Sequence, residues 1–563
     1  MTDGHPAGGN GPAVRRARWR IGTAAVAAVV AVLPSAAAAP PAGDDLRLAA
    51  GRRIYREGVL PSGKPVRGVV QGDVTFTGLQ ASCMTCHRRS GFGASEAGAV
   101  APPVIGEFLY RPVELGGEHT ALRRSHGPGT RPAYTDETLV RAIREGVDPG
   151  GRTLAALMPR FELSEADALA LVAYLKSLSS AASPGVGESI VHLATVVTPD
   201  VAPARRAAFL GVLEAFVRDR NSASRLEDER KTRSGWEKRR EYQAYRRLAL
   251  HVWELVGPPS SWARQLEQRY RSEPVFALVS GITAGDWRPV HEFCEANEIP
   301  CVFPITDLPV VAEGDYYSIY FSRGLTLQAE ALAVHLRDAP PPGPVVQVFR
   351  AEPRGAVPAA AFRAALEADQ QVAVVDRVIG DPTPPDASYW RGLISEQRPA
   401  ALVLWLSTAD LAGLASISEN VPGVFLPASL LGDDPGTLAP ALRKRAQLIW
   451  PYAPPSPAGA RTARARAWIE ARGLKVVDER AQTGAFFAAT LASDALKELR
   501  GYYTRDYLIE RIEHMVDSSV TTSVYPRLSL APGVRFASKG CYIVRVTQGD
   551  PPTLEPVSDW IVP

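Results

Sequence analysis

The chain contains few residues of the kinds that bind metals or form crosslinks, with 5 cysteines, 4 methionines and 9 histidines among 563 residues. It also lacks an excess of charge of either sign, since 63 basic residues nearly balance 60 acidic ones. Nucleic-acid binding needs concentrated positive charge, so a nucleic-acid partner is not expected. No G-x-S-x-G, H-E-x-x-H or P-loop pattern occurs, and hydrolytic or acyl-transfer chemistry is therefore not predicted.

Long apolar runs are scarce as well. The run from Ile21 to Leu33 is shorter than the roughly 20 residues that span a bilayer. It follows a cluster of arginines and precedes a stretch of small residues that ends at Ala39. A basic start, a short apolar centre and an A-x-A site predict an export signal over residues 1–39, and hence a periplasmic protein. Pro40 and Pro41 could hinder cleavage, so an uncleaved N-terminal membrane anchor is the alternative.

Two of the cysteines stand in Cys83-Met84-Thr85-Cys86-His87, which reads Cys-x-x-Cys-His. This is the attachment signature of a c-type haem. Two thiols three positions apart can each add to one vinyl group of a porphyrin, and the adjacent imidazole then lies under the ring. The alternative is a redox pair or half of a zinc site. We predict one covalent haem c, bound by Cys83 and Cys86, with His87 as an iron ligand.

Met158 is the methionine best placed to provide a second iron ligand. The initiator methionine leaves with the predicted signal, Met84 lies inside the motif, and Met515 is far away in the chain. A thioether ligand raises the reduction potential of a haem iron. His119 and His126, in a glycine-rich insert, are the competing ligands. With no sixth ligand, the iron itself would be open to chemistry, which is a third and weaker interpretation.

Residues 42–182 are predicted to form a small all-α domain around this motif. Helical spacing runs over Asp44–Glu57, and Thr135 has the character of an N-cap for a helix that ends at Gly146. A last helix is predicted over Glu165–Leu178, because Ser164 and Asp167 form a capping-box pattern at its start.

The order of these motifs resembles a class I, mono-haem cytochrome c. The elements that carry the resemblance are a Gly-aromatic first helix (Gly51, Tyr55), the Cys-x-x-Cys-His motif, Met158-Pro159, and Leu171-Val172-Ala173-Tyr174-Leu175. The resemblance implies that Pro102 or Pro103 offers a carbonyl to the ring of His87. It also implies that Gly51 and Tyr55 meet the final helix near Tyr174. One-electron transfer with a periplasmic redox partner, a dehydrogenase or a terminal acceptor, is the activity that follows.

From Gly185 onward, apolar runs alternate with amphipathic helices. The predicted buried strands are Ile190–Val197, Val275–Val279, Val345–Phe349, Val372–Val375, Ala401–Leu406 and Val424–Leu426. The predicted helices between them include Ala204–Val217, Trp287–Asn297, Thr326–Leu336 and Ala359–Ala368. Such alternation predicts an α/β fold with parallel sheets. The charged segment Arg218–Arg247 is predicted to be a solvated insertion.

This second part resembles the type I periplasmic solute-binding proteins, the branched-chain amino acid and amide receptors of ABC transporters. The resemblance covers most of residues 188–550. It is carried by Phe276–Gly281, Glu298–Pro304, Tyr317–Phe321 and Gly533–Tyr542. It implies two lobes that close on a hinge over a ligand, with Tyr317–Phe321 crossing into the second lobe.

The resemblance also indicates which loops would face the cleft between the lobes. Those loops carry Ser280, Thr283, Thr306 and Asp307, which suit a carboxylate, an amide or another small polar solute. Ordinary turn and helix-cap roles are the alternative. In the second lobe, Arg350–Gly355 replaces the family's aromatic-bearing turn, which disfavours an amino-acid ligand.

The sequence therefore predicts an exported cytochrome c joined by the linker Ser177–Gly187 to a solute-binding-like domain. The favoured function is electron transfer without enzymatic activity, with the larger domain docking a partner or sensing a solute. The alternative is a receptor for an ABC transporter or a sensor with an accessory haem. Cys294 and Cys301 are predicted either to pair as a disulfide or to be two buried thiols.

Overall fold

The computed structural model describes most of the chain after the predicted signal. The described ranges are 43–70, 73–96, 99–114, 130–234, 246–367, 372–417, 422–432, 434–454, 461–549 and 552–563. The predicted signal (1–39) and the competing ligands His119 and His126 lie outside them. Within these ranges, the helices are all too short or too polar to cross a membrane.

The N-terminal domain, which we define as the described residues up to 182, is mainly helical. Its helices are α1 (Gly43–Glu57), α2 (Met84–His87), α3 (Gly106–Leu109), α4 (Asp136–Glu145) and α5 (Glu165–Ser177). Its strands are β1 (Arg67–Val70), β2 (Val74–Thr77), β3 (Ala94–Glu96), β4 (Ala99–Ala101), β5 (Val113–Glu114), β6 (Thr130–Arg131) and β7 (Arg160–Phe161). They form one three-stranded sheet, β2-β1-β7, and two small hairpins. The all-α prediction missed these strands, because elements this short show no period in the sequence.

The crossing of α1 and α5 is fixed by Gly51. A Cβ atom at this position would lie 2.0 Å from the carbonyl oxygen of Ala170, so only glycine permits the close approach. Beside it, the rings of Tyr55 and Tyr174 have their centroids 5.3 Å apart. The predicted meeting of the first and last helices is therefore confirmed. The predicted cap residues of α4 are confirmed too, with Thr135 at the N-cap and a left-handed Gly146 at the C-cap.

The rest of the chain, which we call the two-lobed domain, contains two separate sheets. The sheet of lobe one has five parallel strands in the order β12-β11-β10-β8-β9. Its strands are β8 (Ile190–Val197), β9 (Arg247–Glu254), β10 (Ala277–Val279), β11 (Cys301–Val302) and β12 (Ser318–Ile319). Its helices include α6 (Pro203–Ser234), α7 (Trp262–Ser272) and α8 (Arg288–Ala296).

The first part of the predicted solvated insertion is packed instead. The side chain of Asn221, on α6, bonds to both the amide and the carbonyl of Leu248, each at 2.8 Å. Arg220 donates a hydrogen bond to the Ser493 hydroxyl at 3.0 Å. The charge density of the segment concealed both the continuation of α6 and the edge strand β9 that follows it.

The sheet of lobe two has seven strands in the order β14-β13-β15-β16-β17-β18-β19. They are β13 (Val345–Arg350), β14 (Val374–Ile379), β15 (Ala401–Trp405), β16 (Gly423–Pro427), β17 (Ala446–Trp450), β18 (Tyr542–Val546) and β19 (Leu554–Pro556). The first five are parallel, β18 pairs with β17 in the antiparallel direction, and β19 pairs with β18 in the antiparallel direction. Its helices are α9 (Gly324–Asp338), α10 (Pro353–Glu367), α11 (Ala387–Gln397), α12 (Ala412–Ala415) and α13 (Pro440–Arg443). Because β19 lies beyond residue 550, the sheet extends past the predicted end of the domain.

The chain passes between the lobes three times. The first passage follows β12, as predicted for Tyr317–Phe321, since α9 packs into the core of lobe two. After β17 the chain returns to lobe one, and α14 (Ala463–Glu470), α15 (Glu479–Glu498) and α16 (Arg505–Met515) follow. The last passage runs through Phe536, which bridges to Tyr320, and ends in β18. Helix α15 packs on α6 and β10, and α16 packs on α15.

Candidate functional site

The haem motif forms a short helical turn. The carbonyl oxygen of Cys83 accepts hydrogen bonds from the amides of Cys86 (3.3 Å) and His87 (2.9 Å). Residues three apart on such a turn lie on one side of it, which brings the thiols of Cys83 and Cys86 to the same face. Burial raises the pKa of the Cys83 thiol to about 12, which favours the uncharged thiol. The two cysteines are therefore arranged to reach one flat group on that face.

The ring of His87 is buried and is oriented by a hydrogen bond to the backbone. Its Nδ1 lies 2.8 Å from the carbonyl oxygen of Pro102. Because a carbonyl can only accept, Nδ1 carries the proton and Nε2 is the nitrogen with a free lone pair. Burial also lowers the pKa of His87 and favours the neutral imidazole, which is the form that binds a metal. Of the two prolines predicted for this contact, Pro102 makes it.

Met158 lies in a loop that is fixed at both sides. Its side chain is half-buried and packs against the same hydrophobic core as Cys83. The following Pro159 packs on β1, where a Cβ atom at Gly68 would come within 2.9 Å of the Pro159 Cβ. The amide of Met158 donates to the carbonyl of Ala155 at 3.0 Å. The thioether thus belongs to the core that surrounds the motif.

These donors fit a covalent haem c. Such a group requires two thiols within reach of one porphyrin, an imidazole oriented through its other nitrogen, and a second axial donor or an open position. The first two requirements are met by the geometry of Cys83, Cys86 and His87 given above. The third is compatible with Met158.

The segment after the motif, residues 88–93, contacts lobe one of the two-lobed domain. The Arg89 guanidinium lies over the ring of Tyr316, 4.1 Å from its centroid, and its Nε is 3.4 Å from the Asp506 carboxylate. Ser90 donates two hydrogen bonds to Glu510, from its amide at 2.7 Å and its hydroxyl at 2.5 Å. The predicted linker is also packed, since the amide of Ser183 donates to the Tyr503 carbonyl at 2.9 Å.

Sequence reasoning missed this interface entirely. Ser90 and Glu510 are separated by 420 positions. No local pattern marks either residue, because a serine in a loop and a glutamate on an amphipathic helix are both ordinary. The two residues meet only in the folded protein, and their contact also brings the haem motif close to α16.

The predicted cleft residues do gather at one edge of lobe one, at the carboxyl ends of β10 and β11. Their hydroxyls, however, already bond to backbone atoms of the protein. Ser280 donates to the carbonyl of Phe303 at 3.2 Å. Thr283 accepts from the amide of Gly285 at 3.0 Å, and Thr306 accepts from that of Leu308 at 3.1 Å, each two residues ahead. The two threonine contacts correspond to the alternative of ordinary turn residues.

The Asp307 carboxylate forms ion pairs with two arginines. Arg354, from the first turn of α10 in lobe two, lies 2.9 Å from its carboxylate, and Arg480, from α15, lies 2.8 Å away. Burial acts to raise the pKa of Asp307, but these arginines outweigh it and hold the pKa below its usual value. Arg354 belongs to the segment that departs from the family pattern. An ion pair formed by the chain itself therefore bridges the lobes.

A second polar cluster, His291, Glu295 and Asp315, has ligand atoms within 4.8 Å of one another. The Glu295 carboxylate accepts hydrogen bonds from three consecutive amides, those of residues 316, 317 and 318. His291 Nδ1 lies 3.0 Å from the Tyr320 hydroxyl. These contacts explain the cluster as a support for β12 without any metal.

The cysteines outside the motif are buried thiols. Cys294 and Cys301 are both free, and they hydrogen-bond to each other. Of the two alternatives for this pair, the structure therefore contains the reduced one.

Comparison with known proteins identifies the class of the N-terminal domain. Residues 76–179 match the cytochrome c family model. The chain therefore contains a cytochrome c domain, as predicted, and membership of that family implies a covalent haem c. No curated protein matches the chain.

The two-lobed part is similar to solved solute-binding proteins. One is a branched-chain amino acid ABC transporter protein from Thermus thermophilus with bound valine, at 13% identity, with 67% of this chain and 98% of that chain covered and a TM-score of 0.49. Another is a fatty acid ABC transporter substrate-binding protein from Thermomonospora curvata, at 16% identity, with coverages of 68% and 95% and a TM-score of 0.48.

Proposed function

We propose that this protein carries single electrons in the periplasm through one haem c. In this proposal Cys83 and Cys86 hold the haem, and His87 and Met158 ligate its iron. The observation that carries the proposal is the contact between His87 Nδ1 and the Pro102 carbonyl, because it keeps the proton of a neutral imidazole on Nδ1 and leaves the lone pair of Nε2 for iron. A haem bound there supplies an iron that accepts and releases one electron.

The residues around the motif then have distinct roles. His87 donates a lone pair from Nε2 and is kept in one tautomer by Pro102. The Met158 thioether favours the reduced state and so raises the reduction potential. Its packing against the core shared with Cys83 supports this role. The redox partners, a dehydrogenase as donor or a terminal acceptor, would meet the exposed side of the Cys86 turn.

For the two-lobed domain we propose a docking role without a small solute. The support is that polar side chains of the cleft already bond within the protein. The hydroxyls of Thr283 and Thr306 each accept a hydrogen bond from an amide of their own loop. Arg354 of lobe two already supplies the charge that Asp307 would otherwise find in a ligand. The domain instead holds the segment after His87, and so presents the cytochrome in a fixed orientation.

Purified full-length protein tests the haem assignment. Acid-acetone treatment should leave the colour on the polypeptide, and extraction of all the haem would refute covalent attachment. The oxidised protein should show a weak near-infrared sulfur-to-iron band that Met158→Ala removes. Met515→Leu, a change of the methionine in the two-lobed domain, should leave the band in place. A band unaffected by Met158→Ala would move the ligand to His119, His126 or water.

A further inference from the structure

Glu510 is a carboxylate, only 9% exposed, that lies against the segment following the haem motif. Its two oxygens accept the hydrogen bonds from the amide and hydroxyl of Ser90. Ser90 lies in a loop closed at its root, because the amide of Gly93 donates to the carbonyl of His87 at 3.0 Å. A single short loop therefore joins Glu510 to the residue we assign as the iron ligand.

The other acidic groups of α16 near Glu510 have counter-charges. Asp506 lies 3.4 Å from both Arg56 and Arg89, and Glu513 pairs with the buried Arg535. Glu510 forms no ion pair with any described residue. The phenols of Tyr55 on α1, Tyr316 before β12 and Tyr507 on α16 also interact electrostatically with Glu510. A buried carboxylate without a cation is costly to ionise.

This environment makes the protonated carboxyl group accessible near neutral pH. Burial raises the pKa of Glu510 to about 8, and the charges of Asp506 and Glu513 act in the same direction. The two hydrogen bonds from Ser90 act against them, because they stabilise the ionised form. Ser90 therefore sets the balance between the two forms of Glu510.

Resting on the proposed function, we propose that Glu510 holds a proton whose uptake is coupled to electron transfer. In the pH range where Glu510 titrates, its carboxyl group takes up a proton when the cytochrome domain gains one electron, and releases the proton when the electron leaves. In the reducing direction the electron comes from a one-electron donor and the proton from solvent. One O–H bond forms at a Glu510 oxygen, and no other bond in the protein changes.

The sign of the coupling follows from electrostatics. An ionised Glu510 stabilises the more positive, oxidised state, so the reduction potential is higher when Glu510 is protonated. The potential should therefore fall as pH rises through about 8 and level off on either side. Reduction, which removes one positive charge, makes the protonated form of Glu510 more favourable.

Redox titration of the full-length holoprotein between about pH 6 and about pH 10 tests the proposal. The wild-type potential should fall across this window, whereas Glu510→Gln should keep the high potential at all pH values. Glu298→Gln is the matched control, since Glu298 is a half-exposed carboxylate that lies 3.8 Å from Arg89. It should leave the pH dependence unchanged.

Ser90→Ala gives a second, independent test. Loss of the hydroxyl donor removes one stabiliser of the ionised form, so the fall in potential should move to higher pH. Haem propionates would not respond in this way. A pH-independent wild-type potential, or a dependence retained in Glu510→Gln, would overturn the proposal. Loss of covalent haem or of reversible redox activity in the wild type would instead overturn the proposed function itself.

Discussion

The haem turn and the cleft both contain polar side chains, but they differ in whether the polar atoms of those side chains already have partners within the protein. In the haem turn, Pro102 takes one nitrogen of His87 and leaves the other available. In the cleft, the hydroxyls of Thr283 and Thr306 and the carboxylate of Asp307 all have partners from the chain itself. The comparison shows that the positions of polar side chains alone are a poor guide to a binding site. Whether those side chains already have hydrogen-bond or ion-pair partners within the protein is a better guide.

Removal of His87 should have the largest effect. His87→Ala deletes the imidazole that the Pro102 contact orients, so haem would lack its first axial ligand during attachment. We expect nearly complete loss of covalently bound haem, measured as haem per polypeptide in the pyridine haemochrome spectrum. His251→Ala, in lobe one, is the control and should retain full haem content. Wild-type haem content in His87→Ala would place the ligand elsewhere.

Breaking the ion pairs of the cleft should come next. Asp307→Asn leaves Arg354 and Arg480 without their carboxylate, and loss of one partner of a buried pair costs about 3–5 kcal/mol. The measurement is chemical unfolding of the full-length protein. Glu254→Gln, which breaks an exposed pair with Arg206, should cost about 1 kcal/mol or less. Equal effects of the two changes would contradict a stabilising bridge.

The Asp307 carboxylate should also make the stability of the protein depend on pH in the acidic range. Since the pKa of Asp307 is lowered in the folded state, its contribution is present above the unfolded value of 3.8 and is lost as pH falls below it. Asp307→Asn should therefore flatten the fall in stability in that acidic range. Unchanged acid sensitivity in the variant would assign the loss to other carboxylates.

Disturbing the tight crossing of α1 and α5 in the N-terminal domain should cause a smaller loss of folding stability. Gly51→Ala places a Cβ atom against the Ala170 carbonyl, and α1 must shift away from α5. Overpacking of this kind costs about 1–3 kcal/mol. Gly43→Ala, at the start of the same helix and with no atom near its Cβ position, should be close to neutral. Thermal unfolding followed by haem absorbance separates the two.

The smallest effect is expected from adding solutes to the cleft. A thermal-shift screen with amino acids, amides, alcohols and short acids should give no stabilisation, because Asp307 is already paired with Arg354 and Arg480. A true ligand at a hundredfold excess over Kd would stabilise the protein by about 2.7 kcal/mol. Such a hit, lost in Thr283→Ala, would favour the alternative of a solute receptor.

The sequence predicted most where the chemistry is local. Cys83, Cys86 and His87 are recognisable because covalent attachment demands their spacing, and Gly51 because a helix interior rarely tolerates glycine without a close neighbour. The turn at Arg354 was identified as unusual, but its partner Asp307 lies 47 positions away and could not be found from the sequence. Strand β9 was not predicted, because it follows a densely charged stretch and is itself polar at both ends.

The docking of residues 88–93 on α16 also has a consequence for the order of events in biosynthesis. Chains are made from the N-terminus, and early domains fold before later ones are complete. Ser90 is therefore exposed while the 420 positions that separate it from Glu510 are still being made. The haem turn leaves the ribosome without its cover, and the contact that covers its neighbouring loop can form only when the chain is almost finished. The loop after the haem turn thus has a period of exposure that the finished protein no longer offers, whereas the turn itself stays open at Cys86.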